Sequence, residues 1–594
     1  MNDTVLDVLE RTARDHGARP AMRSKRDGAW RATTWTEYRD QALAAAAGFV
    51  ALGLPPRAGV VILGYNRPEW FVADVGAIAA GGVPAGIYTT STAEQCRYIA
   101  HHCEAAVAVV ENPTYLETLR QVRGDLPHLR AIALMEGEAR EPGVLGWGQL
   151  LASGGAAEAR EVRRRIAAQR PEDVATLIYT SGTTGPPKAV AITHRNMTWT
   201  AEQVARAFEF TAADDVVSYL PLSHIAEQIV SLHCPMSRGA CSWFAESLEK
   251  LPENLREVRP TFFFGVPRVW EKIQGGIQAA GAQAPPLRRR IAAWARRVGL
   301  EGGYAEQQGR RRPLLWGLAR RLVFDKVRRR LGFDRTRVCS TSAAPISLQT
   351  LEFFLSLGIP IYEVYGMSEC TGPTTFSVPG RYRTGKAGFA IPGTELRTAQ
   401  DGEILMRGPH VFPGYLQDEA ATRETLDGDG WLHSGDIGTL DADGFLQVTD
   451  RKKELIITSG GKNIAPQVLE TRLKQIPGVA HAAVVGDRRH YVAALLTLDP
   501  QRLPAVAAAA GSPARSLEEA AACPLLRAHL ERELEAVNQT LARYESVRRF
   551  TVLPAEFSIA GGELTPTMKL KRRVVYQKYA REIEGLYAEG RPVA

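Results

Sequence analysis

The sequence predicts an α/β fold, with a large N-terminal domain of βαβ units and a small α+β domain after it. Three observations carry that expectation. Short β-branched runs at 59–63 (GVVIL), 83–87 (VPAGI) and 105–111 (AAVAVVE) alternate with helical stretches, as βαβ units of a largely parallel sheet do. At 594 residues the chain is too long for one compact core. Beyond a highly charged segment at residue 450, short strands alternate with helices, so the division falls at 1–449 and 450–594.

Taken in order, residues 4–16 read as an amphipathic helix and 34–52 as a second, with Thr34 or Thr36 as its N-cap. Residues 70–80 form a helix between the first two strands. The run 174–178 (VATLI) is a buried strand, and it opens onto YTSGTTGPPK at 179–188. Gly182 and Gly185 permit backbone angles that let successive N–H groups converge on an anion. Ser181, Thr183 and Thr184 add hydroxyl donors, and Lys188 adds a mobile charge. Such a loop suits a polyphosphate, although an ordinary polar turn shares its composition. It is neither the Walker pattern nor the three-glycine dinucleotide fingerprint.

Downstream, SYLPLSHIAE (218–227) presents His224, which is either a core histidine or a ligand-facing one. FFFGVPRVWEKI (262–273) reads as a buried strand, a Gly/Pro turn and a helix start. Between 275 and 335 fifteen Lys/Arg stand against four Asp/Glu. Leu287, Ile291, Trp294 and Val298 share one helical face there, and Trp316, Ala319, Val323, Val327 and Leu331 share another. Two readings stay open: the stripes pack on the domain, or they lie on an anionic bilayer. Residues 359–362 look like a strand entering a turn, with Tyr365 to Glu369 on the loop after it, where ligands of open α/β sheets bind. In WLHSGD (431–436) the carboxylate of Asp436 can accept both hydroxyls of a ribose. VTDRKKELIITSGGKNIAP (448–466) crosses the boundary, strands are expected at 482–486 and 491–498, and LTPTMKLKR stands at 564–572.

The formal net charge of +8 suits anionic substrates or an anionic membrane surface and does not imply nucleic acid. Seven scattered cysteines without a CxxC pair favour a reducing compartment and argue against a zinc site. The N-terminus lacks the apolar core of a signal peptide, and no apolar run is long enough to span a bilayer. A cytoplasmic protein, in peripheral contact with a membrane at most, is the expectation.

Six of these motifs, in this order from 179 to 572, resemble the adenylate-forming superfamily of acyl-CoA synthetases, luciferases and peptide-synthetase adenylation domains. LPLSHIAE, GVPRVWEKI, YGMSEC, DRKKELIIT and LTPTMKLKR are most similar to long-chain fatty acyl-CoA synthetases, the bubblegum-type branch above all. The resemblance implies a small barrel-like part in the N-terminal domain, a mobile C-terminal domain, and ATP, Mg²⁺ and coenzyme A as partners of a fatty acid. It implies that residues 180–185 and Lys188 bind phosphate, that Ala343, Ala344 and Pro345 line the adenine side, and that Tyr365 stacks on the base beside Gly366. Ser368 would lie at the α-phosphate, Glu369 and Thr180 at Mg²⁺, Asp436 at the ribose, and Arg451 and Lys453 at the nucleotide. His224 would stand beside the acyl carboxylate, Asp450 at the hinge, and Lys569 would be the catalytic lysine, with Lys571 its neighbour. This chain departs from many relatives at Met568, where they have glycine, and at Ile457, where some have a further lysine. Two rival functions remain: a fatty acyl-AMP ligase serving a carrier protein, and a nucleotide-binding membrane-surface protein without activity.

Overall fold

A computed structural model describes residues 3–139, 141–180, 186–459, 462–565 and 568–588, apart from the side chains of Lys453 and Asn463. Two large sheets form the N-terminal part. In the first, Gly59–Leu63 lies between Val83–Ile87 and Val107–Val110, all parallel, and Val174–Thr180 extends it beside Val83–Ile87. The first two strands are buried at every residue, as parallel strands covered on both faces are. Lys188–Thr193 then returns antiparallel to Val174–Thr180, so the glycine-rich stretch joins two strands of one hairpin.

The second sheet has a parallel centre of Asp215–Ser218, Cys241–Phe244, Phe262–Phe264, Val338–Thr341 and Ile361–Met367. One apolar cluster lies between the sheets, with Trp35, Trp70, Phe49 and Phe376 among its fully buried members. Thr34 caps helix Trp35–Ala51 in a reciprocal capping box with Glu37, which decides between the two threonines. A four-stranded antiparallel sheet of Glu395–Thr398, Glu403–Arg407, Leu432–Leu440 and Leu446–Arg451 supplies the half-barrel. The C-terminal part has its own sheet of Val479–Val485, Val492–Leu498 and Val547–Val552, with apolar clusters on both faces.

Three local features go beyond or against the sequence pattern. Pro20–Arg26 and Ala29–Thr34, where the pattern marks no element, form a hairpin on the sheet edge, turning at Asp27-Gly28 with both φ positive. The strand Ile361–Met367 continues through Tyr365 and Gly366 instead of ending in a loop at 362. It does so because Gly372–Phe376 pairs antiparallel to it, and a Cβ on Gly366 would lie 1.8 Å from the Gly372 carbonyl oxygen. In the basic segment, Val298 is buried and Trp294, Trp316 and Val323 pack inward around Ala295, Ala319 and Phe324, whereas Leu287 and Ile291 are exposed.

The C-terminal part meets the N-terminal part through charged side chains. Arg268 lies 3.0 Å from Glu556 and 3.9 Å from Asp499, and Lys474 lies 3.0 Å from Glu271. Burial pushes the Glu271 carboxyl up, but Lys474 and Arg268 together hold it below its ordinary range.

Candidate active site

A cleft of about 2700 Å³ runs between the two large sheets and the C-terminal part. Strand ends and the loops after them form its wall, the place where open α/β sheets bind ligands. Thr180 and Lys188 face each other in register at the mouth of the hairpin; Ser181, Gly182, Thr183, Thr184 and Gly185 lie outside the described residues. The Lys188 ammonium sits 4.9 Å from the ring centroid of Tyr415, and the Tyr415 hydroxyl donates to Glu369 Oε1 at 2.8 Å. One tyrosine therefore spaces a cation from the carboxylate expected to face the metal. Sequence reading missed Tyr415, since only the pairing of Gly414–Tyr415 with Val190 and Ala191 brings it here.

Elsewhere in the cleft both oxygens of Asp436 are engaged. Tyr365 Oη donates to Oδ2 at 2.8 Å, and Arg451 Nε to Oδ1 at 3.0 Å. Each carboxylate oxygen keeps acceptor capacity for a ribose hydroxyl, and the two donors fix the plane of the group. Burial, then the Asp436 charge, pushes the Tyr365 phenol far above its usual range, so it stays a donor. Ala343, Ala344 and Pro345 line the cleft after strand Val338–Thr341, with Ala343 in the left-handed region at φ 76°. A non-glycine residue there stores about 1–2 kcal/mol, a strain that collects at ligand sites. Ser368 is buried beside Glu369 in a single helical turn, and Gly366, Ser368 and Arg451 all line the cleft.

His224 caps the short helix that follows it, its Nδ1 accepting from the Ala226 N–H at 3.2 Å. The ring proton therefore sits on Nε2. Burial first, and the nearby Lys569 charge second, push its pKa down to about 4. At neutral pH His224 is an uncharged donor. Behind it Glu227 is buried and accepts from Ser231 Oγ at 2.7 Å, its pKa raised by burial to about 7. Val204, Phe208, Ile225, Ile229, Phe262 and Phe376 give this end of the cleft an apolar lining.

Lys569 comes from the other end of the chain. Two hydrogen bonds tie it to Thr565, whose N–H donates to the Lys569 carbonyl at 2.8 Å and whose Oγ1 accepts from the Lys569 N–H at 2.9 Å. Met568 takes φ 63°, which explains physically why glycine suits this step and shows that methionine can hold it. The Lys569 side chain remains open to cleft water while protein walls surround it. That enclosure, with repulsion from Arg451, lowers its pKa to about 8; Asp436, Glu369 and Glu454 pull it partly back. Lys571 also lines the cleft. The Lys453 side chain lies outside the described residues. Asp450 is buried, its carboxylate accepting from the N–H groups of Arg451 at 2.6 Å and Gln467 at 3.2 Å, and burial raises its pKa to about 7.

The comparisons with known proteins agree with this geometry. The family described as AMP-binding enzyme matches residues 9–416, and its C-terminal domain matches 453–591. The chain belongs to the AMP-binding enzyme family. Within it, a long-chain-fatty-acid–CoA ligase, ACSBG2 of Xenopus laevis, is 42% identical across 99% of this chain and 84% of its own length. ACSBG1 of Bos taurus, another such ligase, is 40% identical across 99% and 85%. Among solved structures, the adenylation domain of a Mycobacterium chelonae carboxylate reductase is 20% identical with a TM-score of 0.77, covering 99% of this chain and 91% of that one. The anthranilate CoA ligase AuaEII, in complex with anthranoyl-AMP, is 20% identical with a TM-score of 0.73 over 97% of both chains. These two show that this AMP-binding enzyme has the fold of adenylate-forming enzymes.

Proposed function

We infer that this protein joins a long-chain fatty acid to coenzyme A using ATP, by way of an acyl-adenylate. One observation carries the reading: Lys188, His224, Glu369 and Asp436 of the N-terminal part and Lys569 of the C-terminal part face a single cleft. The apolar lining beside His224 supports an acyl chain there, as do the names of the ACSBG relatives.

In the first half-reaction a carboxylate oxygen of the acid attacks the α-phosphorus of ATP. The bond to pyrophosphate breaks, and its electron pair leaves with that group. An anion must approach an anion, so the protein's work is positioning and neutralising charge. Lys569 and Lys188 bring positive charge to the phosphates, Asp436 holds the ribose hydroxyls, and Tyr365 lies against the base. The Nε2–H of His224 donates to the attacking carboxylate without pairing it as an ion. Glu369 and Thr180 would hold Mg²⁺, since both line the cleft and a carboxylate and a hydroxyl are oxygen donors of the kind that ion takes. Bound there, the ion would supply charge neutralisation at the phosphates.

In the second half-reaction the 450–594 domain turns about Asp450, Lys569 withdraws and coenzyme A enters. Its sulfur, having given up the thiol proton to solvent, attacks the acyl carbon, and AMP leaves with the electron pair of the C–O bond. Because Asp450 ties a strand end to the first turn of helix Pro466–Leu473, rotation there resets two hydrogen bonds. A cytoplasmic site of action against the inner face of a membrane belongs to the same proposal. AMP release and thioester formation, followed across fatty acids of graded length, test it; thioester yield should rise toward long chains. Acyl-AMP without a thioester would mark a carrier-protein ligase. No pyrophosphate with any acid would leave a nucleotide-binding protein only.

A further inference from the structure

We propose that the outer edge of the basic segment is a docking surface for an anionic lipid bilayer. Thirteen large apolar side chains are exposed among the described residues, and six lie between 287 and 322: Leu287, Ile291, Leu314, Leu315, Leu318 and Leu322. The last four are not on the stripes that spacing picks out. Those stripes are largely spent on the protein itself, Trp316, Ala319 and Val323 against Phe324, and Val327 and Leu331 against the cluster around Phe333. Leu314, Leu315, Leu318 and Leu322 remain on the outside, with Leu314 fully exposed and the others 40–52% exposed.

Charge selects the occupant. The excess of fifteen basic over four acidic residues in 275–335 is larger than the whole chain's net +8, so the remainder of the chain is on balance negative. Arg289, Arg290, Arg297, Arg310, Arg311 and Arg321 are exposed and pair with no carboxylate among the described residues. A second copy of this chain would bring like charges face to face. A free phosphate would satisfy the arginines and leave the leucines in water. A bilayer with anionic headgroups satisfies both, the leucines entering the acyl boundary and the arginines the headgroup layer.

The segment is also anchored to the rim of the cleft. Tyr304 Oη donates to Glu352 at 2.5 Å and Gln307 Nε2 to Thr384 at 3.0 Å, and both acceptor residues line the cleft. Docking would hold the cleft beside the phase into which a long-chain acid partitions. The proposal extends the fatty-acid reading, yet its test needs no catalysis.

The test is flotation of the purified full chain with vesicles of phosphatidylcholine alone and of phosphatidylcholine mixed with phosphatidylglycerol. The chain should float with the anionic vesicles, weakly with the neutral ones, and less as salt rises. Two combined variants, Arg310→Glu/Arg311→Glu/Arg321→Glu and Leu314→Ser/Leu315→Ser/Leu318→Ser/Leu322→Ser, should each lower the bound fraction about tenfold. Adenylate formation from a short, water-soluble acid should stay within about twofold in both, which shows that they are folded. Absence of flotation, or flotation that neither variant weakens, overturns the proposal. So does a dimer of the parent chain that either variant dissolves, since the face would then belong to a second copy.

Discussion

The interdomain seam and the basic segment adjoin in sequence and treat charge in opposite ways. Helix Pro267–Ala282 carries Arg268 and Glu271, and both find partners on the C-terminal part. Helix Pro286–Gln307 begins a few residues later, and its arginines at 289, 290 and 297 pair with no carboxylate among the described residues. Where the chain meets itself, half-buried charges are matched, because an unmatched one costs several kcal/mol. Where arginines stand unmatched beside exposed leucines, the complement is sought outside the chain.

The cleft behind the seam is where the largest effect belongs. Lys569→Ala should slow adenylate formation about 10²–10³-fold, as loss of a donor aimed at developing charge does. Pyrophosphate release measures it, and thioester formation from supplied acyl-AMP should barely change; equal loss of both steps would remove Lys569 from its role. The same lysine sets a pH limit. In the proposed role its ammonium form is the active one, and its pKa is lowered to about 8, so kcat/KM for ATP should be level below that value and fall roughly tenfold per unit above it. Lys569→Arg should abolish that limb, because guanidinium keeps its proton.

A smaller effect separates the two regions directly. Arg268→Glu sets a carboxylate against Glu556 and should slow adenylation about tenfold, equivalent to roughly 1.4 kcal/mol, with Glu556→Arg restoring much of the loss. The thioester step should suffer less. If both half-reactions slow equally, the seam contributes stability without selecting an orientation. The charge reversals at 310, 311 and 321 provide the contrast, since they should leave both half-reactions in solution nearly untouched.

The parallel strands of the first sheet and the helix cap at Thr34 were legible because burial and capping are local signals. The hairpin at 20–34 was not, since its edge strands are half-exposed and charged and only Asp27-Gly28 marks the turn. Gly366 read as the start of a loop when it is a point of close backbone approach within a strand. The outer leucines escaped notice for a geometric reason. Leu314 and Leu315 precede helix Trp316–Ala319, and the stripe drawn from Trp316 marks the face that packs on the protein, leaving Leu318 and Leu322 off it. Of the cleft, the motif residues were visible as strings; their mutual placement, and the part of Tyr415 between Lys188 and Glu369, depend on pairing between distant strands.

The side chain of Met568 is partly buried against the C-terminal cluster that contains Phe557 and Val575. A glycine at this position would lack that contact, whereas the methionine ties the step before Lys569 to the cluster. On the proposed rotation the neighbouring ammonium would travel with its lobe, and a spectroscopic label beside Met568 would report the lobe's orientation.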